Sequence, residues 1–130
     1  MPVFELIDRK ERNAINDIFK KKDLFYNGKR VTKFEKKFSK YIGTKYAVAV
    51  SSGTAAIKTA LISLGVKKGD EVITQSFTFI ATVEAIMDIG AKPVVVNIDD
   101  TLNMCPIELS KKITKKTKAI IPVHMLGVSV

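Results

Sequence analysis

Only one cysteine, Cys105, occurs in the 130 residues, so no disulfide can form within the chain. The single histidine, His124, lies far from it in sequence, and one imidazole with one thiol supports no metal site of the usual four-ligand kind. A Cys–His nucleophile pair would need an activated thiol, and nothing around Cys105 supplies the activation. No apolar run approaches the roughly 18–20 residues of a membrane-spanning helix. The opening Met1-Pro2-Val3-Phe4-Glu5 has neither the basic start nor the apolar stretch of a secretion signal. Arginine is scarce as well, confined to Arg9, Arg12 and Arg30. Neither the Walker phosphate loop nor the three-glycine dinucleotide pattern occurs, and there is no internal repeat, low-complexity tract or linker. These absences point to a soluble cytosolic protein of one domain or part of one, with no metal and no membrane partner.

What is present is a composition that can fold: 46% hydrophobic and 27% charged residues, with a formal net charge of +9. The excess charge is almost all lysine. It is scattered along the chain, densest at Lys111, Lys112, Lys115, Lys116 and Lys118, and aromatic residues do not alternate with it as they do on a nucleic-acid stacking surface. A solvated helix face is the plainer reading, so nucleic acid is not expected as a partner. An anionic small molecule remains compatible with the charge.

Two helices come first. Asp8 suits an N-cap, Ile15, Ile18 and Phe19 fall at helical spacing, and Lys20, Lys21 and Lys22 complement the negative end of the dipole. After a turn at Asn27-Gly28, Val31, Phe34, Phe38 and Tyr41 form one apolar stripe with lysines opposite, and Gly43 stops the helix. The pattern then changes. Tyr46–Val50, Glu71–Thr74, Pro93–Ile98 and Ala119–Val123 are short apolar runs of the kind that form strands buried on both faces. Helical segments at 55–64, from Thr78 or Phe79 to Ile89, and at 106–113 alternate with them, the first two closed by Gly65 and Gly90 and the last opened by Pro106. The alternation predicts an α/β fold, a mainly parallel sheet with flanking helices. Ligands in such folds bind beyond the carboxyl ends of the strands. Ser51–Thr54, Ser76–Phe79, Asp99–Asp100 and His124 all stand there.

Ser51-Ser52-Gly53-Thr54 joins a strand to a helix. The free N–H groups and positive dipole end of that helix favour a phosphate, Gly53 permits close approach, and Ser52 and Thr54 can donate. An ordinary Ser/Thr helix cap explains the same residues. Phe77 or Phe79 could stack on a planar ring or simply fill the core. His124 reads by default as a buried, hydrogen-bonded residue at a strand end, and alternatively as part of a ligand site. Adjacent Asp99 and Asp100 diverge on an extended chain, so a turn is expected rather than a carboxylate pair.

A series of motifs in order narrows this. Phe34-Glu35 with Gly43, Ala47 to Ala56 (AVAVSSGTAA), Gly69-Asp70-Glu71-Val72-Ile73, Ser76 to Thr82 (SFTFIAT), Gly90-Ala91-Lys92-Pro93 and Ile120 to His124 (IIPVH) together resemble the DegT/DnrJ-type sugar aminotransferases, a branch of the aspartate-aminotransferase fold. The resemblance implies that the chain is the N-terminal part of the large domain of a pyridoxal-phosphate-dependent transferase, an incomplete fold, with residues 1–42 an N-terminal helical segment and 43–130 the first part of the cofactor domain. It implies pyridoxal phosphate as cofactor. Ser52, Gly53 and Thr54 would hold its phosphate, Phe79 would stack on its ring, and His124 would lie near the floor of the site. The loop at Asn27, Gly28 and Lys29 would lie toward a nucleotide-sugar substrate.

The resemblance also implies what the 130 residues lack. The lysine that anchors the cofactor and the aspartate that pairs with its ring nitrogen fall later in such enzymes, so no catalytic residue is assigned and the chain by itself is expected to be inactive. Lys58, on the helix after the phosphate turn, does not stand in the anchoring context. The full-length reaction would transfer an amino group, usually from glutamate, to a keto group of a nucleotide-linked sugar in polysaccharide or antibiotic-sugar synthesis, within a homodimer. Some members have histidine in place of the anchoring lysine and dehydrate the sugar instead. A non-catalytic remnant or ligand-binding module is the remaining alternative. The resemblance implies, finally, that the run Tyr46–Val50 takes its strand neighbours from later residues, which would leave it unpaired here.

Overall fold

The computed structural model describes residues 7–21 and 28–130. Expectations placed on Met1–Glu5, Lys22 and Asn27 lie outside these residues. Two compact units divide at Ala49/Val50.

In the first unit, α1 spans Arg9–Lys20 and begins with a capping box: the Asp8 carboxylate accepts from Lys10 N–H, and Glu11 reaches back to the Asp8 N–H at 2.9 Å. Helix α2 spans Lys29–Ile42 and ends on Gly43 in the left-handed conformation, φ +81°. Arg30 Nη2 lies 3.7 Å from Asp17 Oδ2, and Lys21 Nζ lies 2.9 Å from it. The Phe34 and Phe38 rings stand 5.7 Å apart on the expected stripe of α2, which is exposed rather than buried.

In the second unit, three parallel strands make a sheet in the order β2-β1-β3, where β1 is Glu71–Gln75, β2 Lys92–Val96 and β3 Thr117–Ile121. Every residue of the central β1 is buried, as a strand covered on both faces must be. Its alternate side chains serve two cores. Val72 joins Leu61, Val66, Ile86 and Ala91 beneath α3 (Gly53–Ser63) and α4 (Ile80–Asp88). Ile73 joins Val96 and Met104, with Leu109 of α5 (Pro106–Lys112) beside them. Pro93, which has no N–H to give a ladder, sits on β2 at a sheet edge. The α/β architecture read from the sequence is therefore present.

Two expectations are corrected. The runs assigned to the outer strands begin earlier than read, at Lys92 and Thr117, because backbone pairing extends into residues whose side chains are polar. The run Tyr46–Val50 is not a buried strand. Among the described residues it pairs with no strand, and Tyr46 and Val48 are 74% and 77% exposed. A buried strand needs two neighbours, and an apolar run does not supply them by itself. Its unpaired state is the one the family resemblance implies. Within the first unit Ala49 N–H donates to Glu35 Oε1 at 2.9 Å.

At the amino end of the sheet, Glu71 is a buried clasp. One carboxylate oxygen accepts from Thr114 Oγ1 at 2.7 Å, and the other lies 3.4 Å from Lys92 Nζ. The Thr114 hydroxyl first, and then Lys92, hold the Glu71 carboxyl below its ordinary range. A folded-state value below the unfolded one adds stability above the unfolded carboxylate value and loses it as pH falls through the folded one. Acid denaturation of the chain is therefore expected to carry a Glu71 contribution below about pH 4.5. Melting temperatures of wild type and Glu71→Gln should converge as pH falls; a constant difference between the two curves would contradict this.

Candidate functional site

The turn before α3 is built as a phosphate-sized anion would require. Ser52, extended at φ −161°, is the N-cap; its Oγ accepts from Ala55 N–H at 3.1 Å, and its carbonyl accepts from Ala56 N–H at 3.0 Å. That leaves the N–H groups of Gly53 and Thr54, which have no hydrogen-bond partner among the described residues. They carry the positive end of the helix dipole. A Cβ built on Gly53 would meet nothing within 4 Å, so the space beside its backbone is open. The cap reading is observed, and it leaves the two N–H groups that a phosphate would use free. The residues present thus fit a phosphate group.

Phe79 is the N-cap of α4 and is 76% exposed, so it is not core packing. It is free to lie against a planar ligand. Behind it, the Thr78 and Thr82 hydroxyls are 3.1 Å apart. His124 is exposed, not buried as its default reading had it, because β3 ends at Ile121 and the chain has already left the sheet. It is hydrogen-bonded all the same: Nδ1 accepts from Val130 N–H at 3.0 Å. Nε2 is left without a partner among the described residues. Since β1 and β3 are parallel, the segments leading to Phe79 and His124 leave the same edge of the sheet. No hydrogen bond among the described residues ties the Ser52–Thr54 turn to either; it is placed through α3, which packs on α4, with Lys58 Nζ 3.0 Å from Asp88 Oδ2. Lys58 is thereby engaged in an ion pair between the two helices.

Asp99 forms the turn expected of it. Its Oδ1 accepts from the hydroxyl and, at 2.9 Å, the N–H of Thr101, and the hydroxyl bond foremost holds the carboxyl below its ordinary range. Among the described residues no group of three or more His, Cys, Asp or Glu side chains could hold a metal ion, and no helix is long and apolar enough to cross a membrane.

Two residues beside the site had no signal in composition or spacing. Gln75, the last residue of β1 and wholly buried, donates from Nε2 to the carbonyls of Phe77 (3.0 Å) and Leu102 (3.2 Å) and accepts at Oε1 from Val123 N–H (3.0 Å). Asn103, also buried, accepts at Oδ1 from Met125 N–H (3.1 Å) and donates to Ser129 O (3.3 Å). The nearest thing to a sequence signal is a polar amide ending a strand whose every residue is buried.

Comparison with known proteins identifies the family and the fold. Residues 5–130 match the model of the DegT/DnrJ/EryC1/StrS aminotransferase family. The chain is 38% identical over 129 residues to GDP-perosamine synthase of Vibrio cholerae, covering 98% of itself and 35% of that protein. It superposes on the aminotransferase of Psychrobacter cryohalolentis with a TM-score of 0.89 at 33% identity, over 95% of this chain and 32% of that one. On a GDP-4-keto-6-deoxymannose-3-dehydratase, solved with a trapped PLP-glutamate geminal diamine, the TM-score is 0.84 at 35% identity, over 93% of this chain and 33% of the other. The chain thus spans about a third of the length of the relatives it matches. With the motifs in series, the parallel sheet and the free helix N-terminus now joined by these likenesses, the chain belongs to the DegT/DnrJ/EryC1/StrS aminotransferase family.

Proposed function

We propose that this chain carries the phosphate turn and the ring-facing aromatic of a pyridoxal-phosphate site, in an aminotransferase that acts on a keto group of a nucleotide-linked sugar. The observation that carries the reading is the pair of unpartnered N–H groups at Gly53 and Thr54 beneath open space, in a chain of this family. Ser52 shapes the turn, Gly53 and Thr54 bind the phosphate, Phe79 covers one face of the ring, and His124 lies near the floor of the site. Pyridoxal phosphate supplies the electron sink on which amino-group exchange depends. Glutamate as amino donor, a homodimer and a cytoplasmic setting complete the proposal. The cofactor-domain assignment to residues 43–130 belongs to it too. The dehydratase among the structural neighbours favours one second reading, dehydration of a similar sugar, with the same role for every residue named here.

The test separates fold from site. Gly53 is the first residue of α3 and a methyl there meets nothing, so Gly53→Ala should leave the fold intact or stabilise it by about 0.5–1 kcal/mol. The same methyl enters the space assigned to the phosphate, so pyridoxamine phosphate should bind about tenfold more weakly, a loss near 1.4 kcal/mol. Calorimetric titration and thermal melting of the two proteins give both quantities. Unchanged affinity in a stable Gly53→Ala chain would remove the phosphate from this turn. In the same preparation, pyridoxal phosphate with borohydride should trap no single lysine stoichiometrically; one that did trap would hold the anchoring role itself.

A further inference from the structure

His124 is gripped on both sides by buried amides. The N–H of the residue before it, Val123, donates to Gln75 Oε1 at 3.0 Å, and the N–H of the residue after it, Met125, donates to Asn103 Oδ1 at 3.1 Å. Gln75 does more than Asn103, because its Nε2 also holds the carbonyl of Phe77, two residues before Phe79. Its third bond goes to the carbonyl of Leu102, a non-glycine residue at φ +64°. One side chain thus fixes the loops that follow all three strands.

We propose that Gln75 is a positioning residue that sets Phe79 and His124 relative to each other at the cofactor ring, an inference that rests on the cofactor-site reading above. The polarity of the three bonds dictates a carboxamide. The two carbonyls require a donor and the Val123 N–H requires an acceptor, and only glutamine at this length offers both groups from one uncharged side chain. Its total burial removes water as a substitute, so each lost bond leaves an unsatisfied backbone group. Gln75 makes no hydrogen bond to the Ser52–Thr54 turn. It therefore governs the ring side of the site and leaves the phosphate side alone.

That division is what the experiment reads. Gln75→Met keeps the length and volume and removes all three bonds. Pyridoxamine phosphate, which has a ring, should bind the variant about tenfold more weakly, because the loops carrying Phe79 and His124 lose their shared anchor. Inorganic phosphate, which has none, should bind it as it binds wild type. A variant that was merely looser would weaken both. His124 is the only histidine, so its imidazole gives one set of NMR signals, and these should shift in the folded variant. Equal binding of pyridoxamine phosphate by folded Gln75→Met overturns the proposal. If the variant does not fold, wild type decides: the Gln75 side-chain amide signals should move on adding pyridoxamine phosphate and not on adding inorganic phosphate, and stillness under both overturns it. If wild type binds pyridoxamine phosphate no more tightly than phosphate, the cofactor reading itself fails. The His124 signals in the folded variant then judge Gln75 alone, an unmoved ring overturning its role and a shifted one upholding it.

Discussion

Replacing Ile86 with alanine is expected to destabilise the second unit by about 2–5 kcal/mol, a large part of what a small domain has to lose. Ile86 is wholly buried on α4, in one cluster with Leu61, Val66, Val72 and Ala91. Truncation removes apolar area from water and leaves a cavity at the junction of α3, α4 and the central strand. That junction cannot collapse easily, since its floor, Val72, is held in a hydrogen-bonded strand between two neighbours. Ile62, on α3 and 57% exposed, is the control: the same substitution there should change stability by no more than about 0.5 kcal/mol. Thermal melts of the two variants should differ by at least about 6 °C. Equal melting points would mean that the cluster around Ile86 is not the core of this unit.

The second large effect concerns association. Tyr46-Ala47-Val48-Ala49-Val50 is an uncharged, β-prone run with no strand partner among the described residues, and Tyr46 and Val48 are mostly exposed. Such a run is a template for pairing with another copy of itself. The 130-residue chain should therefore sediment with a concentration-dependent coefficient in the micromolar range. Val48→Lys places a desolvation and repulsion penalty in the middle of the run, and should raise the concentration at which association sets in by about tenfold or more. Val48 has no place in either buried cluster, so the melting behaviour of the second unit should not change. Wild type that remains monomeric up to about 100 µM would contradict the prediction, because that concentration corresponds to only about 5.5 kcal/mol of association.

The contrast between these two regions shows what the amino-acid order discloses and what it does not. Chain reversals were legible because their chemistry is local. Gly43, Gly65, Gly69 and Gly90 stand at positive φ, where only the backbone of the residue itself is at issue. Asp8 and Pro106 open helices for equally local reasons. The run at 46–50 has the composition of a strand, but a strand is a relation between segments, and its relation is not in the run. His124 was misplaced for a related reason: the apolar residues before it continue past the point where β3 stops pairing. The candidate site was legible at Ser52–Thr54 through helix-end chemistry; an aromatic at Phe77 or Phe79 was legible from its place after a strand, and family likeness chose Phe79. Gln75 and Asn103 were invisible. An amide in a sequence looks like a surface or turn residue, and its worth here comes from backbone groups 20 to 50 positions away.

The outer strand β2 reads Lys-Pro-Val-Val-Val, and a row of valines looks the same to its neighbour after sliding by one residue. Apolar packing alone would leave its alignment poorly defined, with both faces accepting valine. The central strand resolves this with its two polar ends. Glu71 meets Lys92 and Thr114 at one end, Gln75 meets the loops beyond both flanking strands at the other, and Ser76 N–H donates to Val96 O at 2.8 Å. A slip of β2 by one residue would disturb those that reach its side, from Lys92, Leu102 and Val96, while costing the valines little. The oily middle of the sheet supplies cohesion, and the buried carboxylate and amide act as alignment pins that tell the chain which of several equally greasy pairings is the native one.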